Sequence, residues 1–275
     1  MQHGQQLQNT LNLDADSARI EVQCLLQAVL QVDRSYLLAH PERSLDEDQQ
    51  SRYTALLERR LHGEPISYLL GSREFYGLTF KVTPATLIPR PETELLVELA
   101  LQHIPPSGPY RVLDLGTGSG AVALSIANNR SDASVLAIDK SRAALEVARE
   151  NMQSLNIPNV RMMHSDWFTA LGSQCFDLIV ANPPYIAVCD THLEQGDLRF
   201  EPLDALVSGA GGLEDIRLIC TQAKAHLNPG GWLLFEHGYD QAERASAILQ
   251  QFGYSGVFSA RDLSGIERVS GATLP

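Results

Sequence analysis

The sequence predicts an α/β protein preceded by a small helical domain, and three observations carry that prediction. From residue 110 onward, short apolar runs alternate with helix-length segments, the signature of a largely parallel sheet with crossover helices. The run Phe176-Asp177-Leu178-Ile179-Val180-Ala181 is almost continuously apolar, as a parallel strand covered on both faces must be. Residues 1–72, by contrast, carry only helical spacing.

In that first segment Leu25, Leu26, Val29 and Leu30 follow Ile20 and Val22 at roughly helical intervals. Tyr53, Leu56, Leu57 and Leu61 repeat at i, i+3, i+4 and i+8. Ser44 with Glu47 reads as a capping box before that second helix. The segment holds six basic residues against ten acidic ones and no catalytic constellation, so it reads as a packing or partner-docking domain.

The period changes at Glu74. Leu78, Phe80 and Val82 alternate, with Gly77 between Tyr76 and Leu78, which predicts a hairpin linker over residues 73–90. Pro91 suits the first turn of a helix, and Glu92 and Glu94 complement its dipole. That helix runs to about His103, where Pro105-Pro106-Ser107-Gly108-Pro109 breaks it. The third region, 91–275, has expected strands at 111–115, 135–139, 160–164, 176–181 and 232–236, and two weaker ones at 257–260 and 267–270. Its expected helices lie at 121–129, 142–155, 213–227 and 241–252. Residues 186–212 form a long irregular connection of the kind that makes lids.

With 275 residues and 44% hydrophobic content, the chain can bury a substantial core. No apolar stretch reaches the roughly 18 residues of a membrane span, and the polar start lacks the regions of a signal peptide, so a cytoplasmic location is expected. Four cysteines without a C-x-x-C pair argue for reduced thiols and against a zinc site or disulfide framework; no metal is expected. A net charge of −12 and a pI near 5.1 disfavour non-specific nucleic-acid binding, which needs clustered Lys and Arg.

Polar groups gather where the strands end. In open α/β sheets ligands bind beyond the carboxyl ends of the strands. The first strand closes in Asp114-Leu115-Gly116-Thr117-Gly118-Ser119-Gly120-Ala121, whose glycines let the backbone turn sharply against a ligand. The second ends in Asp139, the third in Asp166-Trp167, and the fourth in Asn182-Pro183-Pro184-Tyr185. Gly116, Gly118 and Ala121 also satisfy a dinucleotide-binding pattern, with Asp139 where a ribose-binding acid belongs, so a nicotinamide enzyme competes. Against it stand Asp114, poorly placed beside a pyrophosphate, and the absence of a hydride-transfer acid/base pair. An acid and an aromatic at 166–167 suit an adenine amino group and its face. The set fits S-adenosyl-L-methionine better than NAD, with Asp166 and Trp167 as the adenine contacts.

Two prolines after Asn182 fix φ, remove two N–H donors and hold the backbone extended. The Asn182 side-chain oxygen and the Pro183 carbonyl then form a stiff acceptor surface with the Tyr185 ring beside it, suited to a planar amine or amide. Asn182, Pro183 and Tyr185 are the candidate catalytic residues, and Asn182, Pro183, Pro184 and Tyr185 the candidate substrate contacts. His164 and His237 have no carboxylate or Cys at ligand spacing and read as packing or loop residues.

Nearly the whole chain resembles the HemK/PrmC family of methyltransferases. The resemblance rests on Gly63-Glu64-Pro65-Ile66-Ser67-Tyr68, Glu74-Phe75-Tyr76-Gly77, Ile88-Pro89-Arg90-Pro91-Glu92-Thr93-Glu94, the glycine loop, Asn182 to Tyr185, and Glu201-Pro202-Leu203-Asp204-Ala205-Leu206. It departs at Gly211-Gly212-Leu213, where the family has an Asp before Gly-Leu. The resemblance implies a seven-stranded methyltransferase sheet with a last antiparallel strand, joined through a hairpin to the helical domain. It implies methylation of the side-chain amide of the glutamine in the Gly-Gly-Gln motif of class 1 peptide-chain release factors, with S-adenosyl-L-methionine as donor, held by Gly116, Thr117, Gly118, Ser119, Gly120, Asp139, Trp167 and Asn182. The helical domain would then dock the release factor, and the Glu201-Pro202 stretch would close the loop over the substrate. Arg90 and Glu92 either line the site or serve structure.

Two other readings use the same residues. An adenine-N6 methyltransferase would present the four-residue surface to an exocyclic amine, yet it would want a basic groove that the acidic N-terminal domain does not supply. A cofactor-binding adaptor without catalysis would have no use for an intact Asn182-Pro183-Pro184-Tyr185.

Overall fold

The computed structural model describes residues 2–275, which divide into two compact units. One comprises the N-terminal residues through Ser72 together with Thr191–Phe200; the other comprises Arg73–Asp190 and Glu201–Pro275.

The first unit is helical: α1 (Gln2–Leu11), α2 (Ala15–Leu30), α3 (Arg34–Ala39), α4 (Glu47–Leu61) and α5 (Ile66–Leu70). Leu7, Ala18, Leu25, Val29, Tyr53 and Leu57 form its core, which is why the periodic apolar positions of α2 and α4 face each other. The capping box of α4 is not the expected Ser44 with Glu47. Asp46 accepts from the Gln49 N–H at 2.8 Å, and the Gln49 side chain accepts from the Asp46 N–H at 3.2 Å. The helix starts at Glu47, so that residue cannot serve as N3, and Asp is as good a cap as Ser. Arg60 is buried in this unit. It makes a two-pronged pair with Glu21 at 2.8 and 2.9 Å and reaches Asp197 of the returning segment at 3.2 Å.

The hairpin of β1 (Ser72–Phe75) and β2 (Leu78–Lys81) starts at the last residue of the first unit and otherwise belongs to the second. Pro91–Thr93 forms a 3-10 turn leading into α6 (Glu94–His103). Then follow β3 (Tyr110–Leu115), α7 (Ala121–Asn129), β4 (Ala133–Asp139), α8 (Arg142–Ser154), β5 (Val160–His164), β6 (Phe176–Ala181), α9 (Glu214–Ala223), β7 (Leu227–Glu236), α10 (Ala242–Gln251), β8 (Ser255–Arg261) and β9 (Glu267–Thr273). The seven strands stand in the order β5-β4-β3-β6-β7-β9-β8, with β9 antiparallel to both its neighbours. Packed side chains cover both faces of the sheet, one cluster around Val112, Leu178 and Leu234, the other around Leu113, Ile179 and Phe235. Adjacent residues of each strand serve opposite faces, as alternation demands.

Strand and helix positions follow the sequence expectation closely, with one shift. The helix expected over 213–227 ends at Ala223, because Leu227 already belongs to β7, which begins five residues before Trp232. Asn228-Pro229-Gly230-Gly231 extends that strand through an irregular register opposite Phe176 and Leu178. The connection after β6 is not wholly irregular. It holds 3-10 turns at Thr191–Glu194, Gly196–Phe200 and Leu203–Ala205, and Ile186 bridges Val207.

Candidate active site

Chain order reverses on either side of β3: the chain runs outward through β4 and β5, then returns to β6 on the other flank. A crevice opens at such a point beyond the carboxyl ends of the strands. Register aligns what lies there. Leu115 pairs Ile138 and Ala181, and Ala181 pairs Phe235. The strand ends Asp139, Gly116, Asn182 and Glu236 therefore lie in one row across the sheet.

The glycine loop gets its shape from left-handed backbone at Gly116, Gly118 and Gly120, with φ of +70°, +57° and +84°. Gly120 caps α7, and a Cβ there would lie 3.0 Å from Leu124 Cδ1 and 3.3 Å from the Ala148 Cβ. Thr117 N–H donates to the Ile138 carbonyl at 2.8 Å, pinning the loop to β4. Asp139 accepts from the Gly118 N–H and the Ser141 N–H, both at 2.8 Å, one on each oxygen. Each of those oxygens keeps a further lone pair, which suits a diol. Asp114 is buried and accepts from the Thr117 hydroxyl at 2.6 Å; burial pushes its carboxyl up to about 7. Burial also raises Asp139, against its two backbone donors.

These residues line a cavity of about 680 Å³, a size usual for ligand sites. Gly116, Thr117, Gly118, Ser119, Asp139, Asp166, Trp167, Asn182 and Pro184 reach it; Gly120, Pro183 and Tyr185 do not. The Trp167 ring lies 3.7 Å from where a Cβ on Gly116 would stand, so the glycine leaves room beside an aromatic face. Acidic groups, an aromatic plane and exposed loop backbone fit the amino, ribose and adenine parts of S-adenosyl-L-methionine.

The Asn182 amide is held at one end. Its Nδ2 donates to the Thr93 hydroxyl at 3.2 Å, which leaves Oδ1 as its free acceptor. Tyr185 is turned otherwise than expected: its hydroxyl donates to Glu236 Oε1 at 3.1 Å instead of its ring lining the cavity. Arg90 lines the cavity and pairs with the buried Glu201 carboxylate, whose other oxygen accepts from the Ile88 N–H at 3.1 Å. Glu201 thus ties the loop to the 88–90 strap, and Glu92 is exposed. His164 meets the Lys140 carbonyl at 3.0 Å, and His237 is buried between the Gly238 carbonyl and the Ser270 hydroxyl.

Sequence reading missed Thr93, Asn151 and Glu236. Asn151 is buried on α8 and donates to the carbonyls of Ser119 and Lys81 at 2.9 and 3.0 Å, joining the glycine loop to the hairpin. Glu236 closes β7, so the strand-end rule that selected Asp139 and Asn182 would also have selected it.

Comparison with known proteins settles the family. Residues 5–71 match the PrmC N-terminal domain, and residues 92–197 the Methyltransferase small domain. The chain is 48% identical to the release factor glutamine methyltransferase of Salmonella typhimurium over 94% of its own length and 92% of the relative. For the protein of that name from Burkholderia pseudomallei the identity is 50%, over 96% and 93%. The chain belongs to the release factor glutamine methyltransferase family. A solved methyltransferase from Pyrococcus furiosus shares the fold, with a TM-score of 0.55 at 21% identity over 80% of this chain and 98% of that one. So does the 16S rRNA methyltransferase RsmC of T. thermophilus, solved with AdoMet and guanosine, with a TM-score of 0.55 at 23% identity over 74% and 50%. In this release factor glutamine methyltransferase family member, Asn182 to Tyr185 stand where the sheet order reverses, one strand from the glycine loop.

Proposed function

We propose that the protein methylates the side-chain amide nitrogen of the glutamine in the Gly-Gly-Gln motif of class 1 peptide-chain release factors. The observation that carries this reading beyond family membership is the place of Asn182 on the cavity wall at the end of β6, where its Nδ2 donates to the Thr93 hydroxyl and its Oδ1 can accept from a planar N–H donor.

When bound, S-adenosyl-L-methionine supplies an electrophilic methyl group on a sulfonium. Asp139 would hold its ribose, Asp166 and Trp167 its adenine, and the 116–120 loop its amino-acid portion. An amide nitrogen is a weak nucleophile because its lone pair is shared with the carbonyl. Asn182 Oδ1, at the cavity wall, accepts one of its N–H bonds, and such an acceptor strengthens as positive charge grows on that nitrogen. Holding the amide in line also removes orientational freedom, a term worth up to roughly 7–11 kcal/mol in favourable cases. No general base is needed before transfer, since the nitrogen becomes acidic only afterwards.

The test is transfer from S-adenosyl-L-methionine to an unmodified release factor, followed by mass spectrometry of the Gly-Gly-Gln peptide. One added methyl on that glutamine is expected. Methyl on adenine in a parallel nucleic-acid reaction, with none on the peptide, would replace this reading. Asn182→Ala should lower turnover by about 10²–10³-fold, the scale of losing one transition-state partner, with cofactor affinity within a few-fold; near-normal turnover would refute the role of Asn182.

A further inference from the structure

Two consecutive prolines leave the four-residue surface without a backbone N–H at positions 183 and 184, so its place is set from its two ends. At the first end Ala181 is held in the sheet between β3 and β7, and the Asn182 amide donates to the Thr93 hydroxyl. At the other end the Tyr185 carbonyl accepts from Gln241 Nε2 at 2.9 Å. Gln241 is buried just before α10. Its Nε2 also donates to the Gly212 carbonyl at 3.2 Å, and its Oε1 accepts from the Gly238 N–H at 2.9 Å. Two hydrogens thus meet two carbonyls, and the oxygen meets one backbone donor.

The sense of this amide is decided by groups that cannot exchange roles, since a backbone N–H only donates and a carbonyl only accepts. Turning the amide over would lose all three bonds. Glycines make room for it. Gly212 has φ of +72°, and a Cβ there would stand 2.5 Å from the Tyr185 oxygen and 2.9 Å from Gln241 Nε2; a Cβ on Gly238 would stand 3.1 Å from Gln241 Cδ. Tyr185 and Gly212 are also the residues that bracket the long connection after β6. Within it the Ile186 N–H donates to the Leu206 carbonyl and the Ser208 N–H to the Ile186 carbonyl, both at 2.9 Å, and Pro202 to Ala205 line the cavity. One side chain therefore holds both feet of that connection.

We propose that Gln241 is a positioning residue for methyl transfer: its amide clamps the Tyr185 end of the substrate surface and the Gly212 end of the connection to one point, which keeps Asn182 and Pro184 in place on the cavity wall. The proposal rests on the functional reading above. Gln241 does not itself line the cavity, so it acts through the backbone it holds. The cofactor side has separate ties, Glu201 to Arg90 and the Ile88 N–H, and Asp139 to the Gly118 and Ser141 N–H groups. Loss of the clamp is felt first where the substrate amide must be aligned.

Gln241→Met keeps the volume and removes all three bonds. Its kcat should fall at least tenfold, since a displacement of about 1 Å can cost about 10²-fold, with KM for the release factor and Kd for S-adenosyl-L-methionine within threefold. Gln241→Glu, assayed at pH 8.5, keeps an acceptor for the Gly238 N–H and lacks the two donors; its kcat should fall as far. A second readout needs neither cofactor nor substrate. In the cofactor-free protein, hydrogen exchange read by mass spectrometry on peptides covering Ile186, Val188 and Ser208 should quicken at least tenfold in both variants, while peptides from β3 and β4 exchange as in the parent. A kcat within twofold of the parent in Gln241→Met, or unchanged exchange at 186–208, overturns the proposal. So does parent-like turnover in Gln241→Glu, because the turn at Gly238 would then be all that the side chain serves. If Gln241→Met does not fold, Gln241→Glu decides by the same criteria. Failure of the parent protein to methylate any release factor would instead overturn the functional reading, and the exchange comparison would still stand.

Discussion

Two carboxyls near the site are held out of water at the ends of β3 and β7. Burial pushes Asp114 and Glu236 each up to about 7 from ordinary values of 3.8 and 4.5. In both cases the folded protein binds the proton more tightly than the unfolded chain, so stability is fullest below the unfolded value and declines as pH rises toward about 7. Asp114→Asn removes its share of that decline. Relative to the parent, the variant should gain on the order of a few kcal/mol between pH 5 and pH 8, read by chemical denaturation at each pH. A stability difference independent of pH would show that Asp114 is not held protonated by its burial. At this scale the sequence placed single residues at the strand ends and showed little of their partnerships. Asn182 and Asp139 were legible because each follows an apolar run at a strand end. The Asn182–Thr93 and Tyr185–Glu236 bonds span 89 and 51 residues and leave no periodic trace.

Among the elements, the apolar runs and the glycine punctuation were legible almost to the residue, as for β5, β6 and α7. The cap of α4 was not, since Ser44 and Asp46 are both good caps and only the helix start distinguishes them. Asp46→Ala should cost about 1 kcal/mol of stability, whereas Ser44→Ala should leave the denaturation midpoint where it is; the reverse ranking would restore the cap the sequence first suggested. Between elements, the buried Asn151 amide is the tie from α8 to the glycine loop and the hairpin. Asn151→Ala strands two carbonyls and an N–H, so a loss of roughly 1–3 kcal/mol or more is expected, along with weaker cofactor binding by titration calorimetry as the loop loosens. At Gly120, left-handed backbone and the nearness of Leu124 both oppose a side chain. Gly120→Ala should therefore destabilise by roughly 1–3 kcal/mol, in contrast to Gly118→Ala, where only the backbone conformation resists and no atom stands within 4 Å.

For the whole molecule, the sequence divided the chain at residue 72, and the contact pattern divides it there and twice more, since Thr191–Phe200 belongs with the helical unit. That return was illegible because the segment has no periodicity, only short 3-10 turns, and its membership is decided by contacts such as Asp197 with Arg60. Removing one partner of a buried ion pair costs about 3–5 kcal/mol. Glu21→Ala, which leaves Arg60 with the more distant Asp197, should approach that figure in chemical denaturation of the full chain, and Asp197→Ala, at the more exposed end, should cost clearly less. Equal losses would mean that the returning segment carries as much of Arg60's charge as Glu21 does. A unit built from two separate stretches also constrains recombination between relatives. A chimera that takes only residues 1–72 from another family member would pair a foreign Arg60 environment with the resident 191–200 segment, so a working exchange has to carry both pieces across together.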